Sequence, residues 1–182
     1  MNVIQTEIPD VLLLEPLIHG DHRGFFMESF NHKVFAEKTG LERRFVQDNH
    51  SRSKQGILRG LHYQIQSPQG KLLRVISGKI FDVAVDLRRH SATFGQWVGE
   101  ILSADNYRQL WVPEGFAHGF CVLSESADVL YKTTDYYAPQ HERTLLWNDP
   151  DLAIAWPLSG ASPILSVKDQ RGIPLSEAEV FA

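Results

Sequence analysis

The chain has 182 residues, 43% of them hydrophobic and 22% charged, enough for one globular domain with a sizeable core. Its formal charge of -4 argues against a general nucleic-acid binder, which carries a basic surface, but leaves room for one anionic ligand held by local Arg and Lys. The single cysteine, Cys121, excludes an internal disulfide and a multi-thiolate metal site. Met1 to Asp10 show no basic segment followed by an apolar run, and no stretch reaches the length of a membrane span, so a soluble cytoplasmic protein is expected.

In chain order, the first strand-like run covers residues 11–14. A helix is expected over 33–38, with Asn31 as N-cap and Gly40 as stop. Strand-like runs follow at 45–49 and 57–64. The strongest periodic signal lies between Lys71 and Leu87. There Leu72, Leu73, Val75 and Ile76 lead into Ser77-Gly78-Lys79, after which Phe81, Val83, Val85 and Leu87 alternate with Asp82, Ala84 and Asp86. Period-two alternation around a Gly-bearing turn reads as a hairpin. Further runs at 97–102, 109–112, 119–123 and 129–137 continue the pattern, and a last short helix is expected over 176–180. Many short strands without helical crossovers disfavour a parallel α/β sheet. The expected fold is all-β, a cupin-like double-sheet β-barrel (jelly roll) with a few short helices, formed by residues 1–182 as a single domain. Such barrels hold small ligands in an open mouth lined by alternate residues of several strands.

Four groups of residues could carry chemistry. The run Leu58-Arg59-Gly60-Leu61-His62-Tyr63-Gln64 has Gln64 where a cupin metal strand would offer a second histidine, and Pro113-Glu114-Gly115-Phe116-Ala117-His118 supplies one more lone histidine. Two histidines are thin ligation for a transition metal, so no metal and no cofactor are expected. Arg59 and His62 differ by three, which places them on opposite faces of a regular strand unless a bulge at Gly60 re-aims one. Asp169, in Ser166-Val167-Lys168-Asp169, is ordinarily a turn residue; as an orienter it would fix a histidine tautomer, with Asp82 as a rival for that role. Tyr131 and Tyr137 share a face if the strand over 129–137 is regular, as packing aromatics or as a proton donor and a stacking platform. The cations Arg23, Arg59, Lys71 and Lys168 must hold any phosphate by side chains, because no Gly-rich phosphate loop precedes a helix.

Taken together these segments resemble the dTDP-4-dehydrorhamnose 3,5-epimerase family. The resemblance rests on Gly20-Asp21-His22-Arg23-Gly24-Phe25-Phe26, Phe45-Val46-Gln47-Asp48-Asn49-His50-Ser51 and Leu58-Arg59-Gly60-Leu61-His62. It continues through Gln69-Gly70-Lys71-Leu72, Phe81-Asp82-Val83-Ala84-Val85-Asp86-Leu87-Arg88 and Leu110-Trp111-Val112-Pro113-Glu114-Gly115-Phe116-Ala117-His118-Gly119-Phe120. Tyr131-Lys132, Trp147-Asn148-Asp149-Pro150 and Leu165-Ser166-Val167-Lys168-Asp169 complete it.

The resemblance implies a homodimer that inverts C3 and C5 of dTDP-4-dehydro-6-deoxy-D-glucose, with His62 as base paired with Asp169 and Tyr131 as acid. It also implies a substrate site lined by Arg23, Glu28, Gln47, Asn49, Arg59, Lys71, His118, Glu142 and Lys168. Tyr137 falls where an aromatic stacks on the thymine, and the segment with Arg23 and Glu28 is expected to serve the neighbouring subunit. The chemistry suits these residues, because a C4 ketone acidifies both neighbouring carbons and a neutral imidazole has a reference pKa of about 6.5. Lys71 is the expected cation near the enolate oxygen, with Arg59 and His118 as further donors. The rival expectations are an epimerase acting at one carbon, a metal-dependent cupin enzyme, and a non-catalytic sugar-nucleotide binder.

Overall fold

In the computed structural model, which describes residues 1–158 and 160–182, alternating side chains build two antiparallel sheets that face each other. The strands are β1 (Asn2–Gln5), β2 (Leu12–Glu15), β3 (Ile18–Asp21), β4 (Gly24–Met27), β5 (Gln47–Lys54), β6 (Leu58–Gln64) and β7 (Lys71–Ser77). They continue with β8 (Lys79–Asp86), β9 (Trp97–Ser103), β10 (Gln109–Val112), β11 (Phe116–Val122), β12 (Ser126–Thr133) and β13 (Glu142–Thr144). The larger sheet has the order β1-β2-β10-β7-β12-β5, the smaller β13-β6-β11-β8-β9, and β3 with β4 forms a separate hairpin. This is the expected cupin-like jelly roll.

Three apolar clusters hold it together. Between the sheets, Leu13, Leu73, Val75 and Val129 from one side meet Ile80, Ala84, Phe120 and Val122 from the other. On the outer face of the smaller sheet, Leu61, Val83, Val85 and Leu87 are covered by Leu152, Trp156, Val180 and Phe181. Strand β8 is therefore buried on both faces, so Val83 and Ala84 are alike inaccessible. On the outer face of the larger sheet, Phe35 of the helix α1 (His32–Thr39) packs with Leu12, Leu14, Leu72 and Trp111. The helix is bounded as expected. Asn31 Oδ1 accepts the Val34 N–H, and Gly40 takes the left-handed conformation that ends the helix.

Three expectations are corrected. Residues 71–77 and 79–86 are strands but not a hairpin: β7 pairs with β10 and β12, whereas β8 pairs with β11 and β9. Alternation and a turn define two strands and a bend, not who pairs with whom. Here Gly78 carries the chain from one sheet to the other, so that Leu73 and Ile80 meet across the core. The strand expected over 129–137 ends at Thr133, and Tyr137 reaches the same side as Tyr131 through a loop, not by alternation. At the C-terminus no helix spans 176–180. A single 3-10 turn (Leu175–Glu177) gives way to extended chain, because the Phe181 N–H donates to the Leu87 carbonyl and Val180 and Phe181 dock on the smaller sheet.

Candidate active site

Strand β5 shows how the site is made. Its inward residues Gln47, Asn49, Ser51 and Ser53 are polar and its outward ones, Asp48, His50, Arg52 and Lys54, are charged or polar too. A strand polar on its inner face cannot fill an apolar core, so the barrel stays open there. The result is a cavity of about 620 Å³ between the sheets, walled by β5, β7 and β12 on one side and by β6, β11, β13 and residues 164–169 on the other.

His62 enters this cavity from β6. Opposite β11 the ladder runs His118↔His62 and then Phe120↔Arg59, so β6 carries one extra residue between its two functional side chains. That bulge resolves the parity of Arg59 and His62, and both line the cavity. Glycine is required on both strands at this point. A Cβ on Gly60, whose φ is +112°, would stand 2.5 Å from the Cα of Gly119, and one on Gly119 would stand 2.6 Å from the Arg59 carbonyl oxygen.

The His62 ring donates from Nε2 to Asp169 Oδ1 at 2.6 Å, which leaves Nδ1 as the nitrogen able to accept a proton. Asp169 also accepts from the Ser166 hydroxyl at 2.6 Å and from the Gly60 N–H at 3.3 Å. Burial alone would raise the Asp169 pKa, but the bonds from His62 and Ser166 outweigh it and hold the carboxyl at about 2. Burial pulls the His62 pKa below its ordinary 6.5, and the nearby Lys168 and Lys71 add to this against the opposing pull of Asp169. Because the carboxylate is already satisfied by three donors, the pair rests as neutral imidazole and carboxylate at neutral pH.

Tyr131 comes from β12, opposite Asn49 of β5. Burial raises its pKa, with Arg59 opposing and Glu142 adding, so the phenol keeps its proton. Lys71, at the start of β7, is buried and donates from Nζ to the His62 carbonyl at 3.2 Å. Burial brings its pKa down to about 8, against the pull of Asp82 and Glu142. His118, on β11, donates its Nε2–H to the wholly buried Asp82 at 2.9 Å. The rivalry between carboxylates is thus resolved: Asp169 serves His62 and Asp82 serves His118.

At one end of the cavity Glu142 accepts from Lys168 Nζ at 2.8 Å and from the Tyr137 hydroxyl at 3.1 Å. Burial raises the Glu142 pKa, but the Lys168 ammonium more than offsets it. The Tyr137 N–H donates to Gln47, whose amide in turn donates to Asn49. Arg59 is braced by Ser53 through a 2.8 Å bond from Nε. Eleven of the thirteen singled-out residues, His62, Tyr131, Asp169, Lys71, Gln47, Asn49, Arg59, His118, Tyr137, Glu142 and Lys168, line this one cavity. Arg23 and Glu28 do not. Arg23 lies in the β3–β4 turn, highly exposed and paired with Asp21, and Glu28 accepts from Asn31 at 3.0 Å.

Sequence reasoning passed over Ser166 and Ser53, which brace Asp169 and Arg59. The Ser-x-x-Asp spacing before Asp169 was the available signal for the first. For Ser53 there was none, since its strand was expected to stop at residue 49.

A neutral base, a protonated phenol and a buried amine in one cavity equip the barrel for moving protons, and fold and site together define a cupin-type acid–base enzyme. Comparison with known proteins makes this specific. Residues 5–177 match the family model described as dTDP-4-dehydrorhamnose 3,5-epimerase. The chain is 61% identical to the dTDP-4-dehydrorhamnose 3,5-epimerase of Pseudomonas aeruginosa, over 100% of this chain and 99% of that one. It superposes with a TM-score of 0.95 and 56% identity on the epimerase RmlC of Legionella pneumophila, solved with dTDP-4-keto-L-rhamnose, covering 98% of this chain and 94% of that one. ChmJ, a 3'-monoepimerase from Streptomyces bikiniensis solved with dTDP-quinovose, aligns at a TM-score of 0.89 and 34% identity, covering 97% and 88%. The chain belongs to the dTDP-4-dehydrorhamnose 3,5-epimerase family.

Proposed function

We propose that this protein epimerises dTDP-4-dehydro-6-deoxy-D-glucose at C3 and C5 to give dTDP-4-dehydro-L-rhamnose, as one catalytic domain. The observation that carries the proposal is the 2.6 Å bond between His62 and Asp169 in a cavity that also holds Tyr131 and Lys71. Nδ1 of His62 takes the proton from the carbon beside the ketone, and the electron pair moves onto the carbonyl oxygen as an enolate. Tyr131 then gives its phenolic proton to the opposite face of that carbon, which inverts it. Lys71 supplies the positive charge that an enolate oxygen needs, a contribution that is large in a water-poor site.

Arg59 and Lys168 take the diphosphate, and Tyr137, half exposed beside Gln47, stacks on the base. Arg23 and Glu28 serve the site of a second subunit: the hairpin that bears Arg23 also exposes Phe25 and Phe26, a surface suited to insertion into a partner of a homodimer. A cytoplasmic location is part of the same proposal; no helix among the described residues is long and apolar enough to cross a membrane.

The test is incubation with the 4-keto sugar nucleotide in D₂O, followed by NMR. Deuterium at C3 and C5 supports the proposal, and deuterium at neither carbon refutes it. The likeness to a 3'-monoepimerase keeps a narrower reading in view, and deuterium at C3 alone would favour it.

A further inference from the structure

The barrel floor holds a second imidazole–carboxylate pair that the proton transfers do not use. Asp82, on β8, is 0% exposed and shares its face of the strand with Ile80 and Ala84 of the apolar core. It lies behind His118, off the cavity surface. Its one side-chain hydrogen bond among the described residues comes from His118, whose Nε2–H is shared by the two carboxylate oxygens at 2.9 and 3.0 Å. A charge so deep in apolar surroundings is costly, and one neutral N–H does not compensate for it. Lys71 has the complementary problem: it too is buried, and among the described residues its amine has a single donor bond, to the His62 carbonyl.

We propose that Asp82 is a positioning residue for the reaction, fixing the ring of His118 and supplying the buried counter-charge that keeps Lys71 cationic inside the cavity. The proposal rests on the epimerase reading above and assigns a role to a residue that touches no substrate. The electrostatics agree. Burial works against the Lys71 ammonium, and of the charges that favour it Asp82 is the strongest, ahead of Glu142, while Lys168 opposes. The other titratable groups lining the cavity are Arg59, His62 and Tyr63 from β6, His118 from β11, Tyr131 from β12, Tyr137 in the loop after it and Asp169 near the C-terminus; of these only Asp169 is a standing anion, and His62 and Ser166 already occupy it. The bond at Nε2 also decides which atom of His118 meets the ligand. Nδ1 is the nitrogen without a protein partner among the described residues, so it presents a lone pair in the neutral ring.

The experiment is Asp82→Asn in the full-length protein, with kcat and KM followed across pH. Asparagine keeps an acceptor for His118 and loses only the charge. The expected result is a kcat about tenfold lower at neutral pH, KM within about threefold, and an alkaline limb moved about one pH unit lower. An unchanged alkaline limb with unchanged kcat overturns the proposal. If the variant does not fold, ¹⁵N NMR of the unaltered protein decides: His118 protonated at Nε2 supports the assignment, and protonation at Nδ1 alone overturns it. Failure of the unaltered protein to exchange substrate protons would instead refute the epimerase reading, and the ring measurement would still judge the pair.

Discussion

The inner wall of the barrel and the β3–β4 hairpin both carry residues of the family pattern, and the chain holds them in opposite ways. On the wall, four functional side chains are each fixed by the side chain of a second residue: Asp169 for His62, Ser53 for Arg59, Asp82 for His118 and Glu142 for Lys168. All of these partners but Ser53, which precedes Arg59 by six residues, come from distant parts of the chain, so most of the geometry is set only by the completed fold. On the hairpin, the Arg23 side chain pairs among the described residues with Asp21 alone, two residues away, and Phe25 and Phe26 are largely exposed, Phe25 resting against Tyr107. A wall built this way is preorganised for chemistry. An arm built this way leaves its cation and its aromatic rings largely in solvent.

That contrast can be broken or sharpened by substitution. His62→Ala should cost the most, lowering exchange at both carbons by about 10² to 10⁴ while thermal unfolding is little changed. Loss of folding in step with activity would move His62 from chemistry to structure. Gly119→Ala comes next. Its new methyl would press on the Arg59 carbonyl and on Leu61, displacing the bulge that aims His62, and a fall in kcat/KM of about 10² is expected even though no functional side chain has changed.

Arg23→Ala should act on the other region, raising KM about tenfold with little effect on kcat. Mixing it with the His62→Ala protein should restore part of the activity if subunits exchange arms; no recovery would place the Arg23 side chain outside the neighbour's site. The smallest effect is in the pH profile. His62 must be neutral to act, and burial lowers its pKa, so the acid limb should lie below 6.5. Lys71 must be charged, so the alkaline limb should fall near its pKa of about 8. A flat profile across 8 would remove Lys71 from the electrostatic role.

Local signals carried much of this structure. The helix with its Asn31 and Gly40 boundaries was legible because capping is a property of a few adjacent residues. The strand pattern was legible wherever one face was apolar, as along β8 and β10. What escaped was non-local or polar. The strand expected over 45–49 runs on to Lys54, and its second half escaped because the inward Ser51 and Ser53, which continue the polar face of Gln47 and Asn49, give no apolar signal. The separation of β7 from β8 depends on β10 and β12 arriving much later in the chain. The same holds for the site. Its residues and the pairing of His62 with Asp169 were expected from motifs and the resemblance they carry, and a bulge at Gly60 was offered as the answer to the parity of Arg59 and His62, but the assignment of Asp82 to His118 needed the fold.

The central claim is that abstraction and redelivery belong to different groups, His62 on one wall and Tyr131 on the other. Tyr131→Phe in D₂O tests it most directly, with exchange and stereochemistry read from the same sample. Substrate protons should still wash out, at a reduced rate, while little inverted sugar forms. Inversion at the rate of the unaltered protein would contradict the claim, since it would mean that the proton returns from some group other than Tyr131.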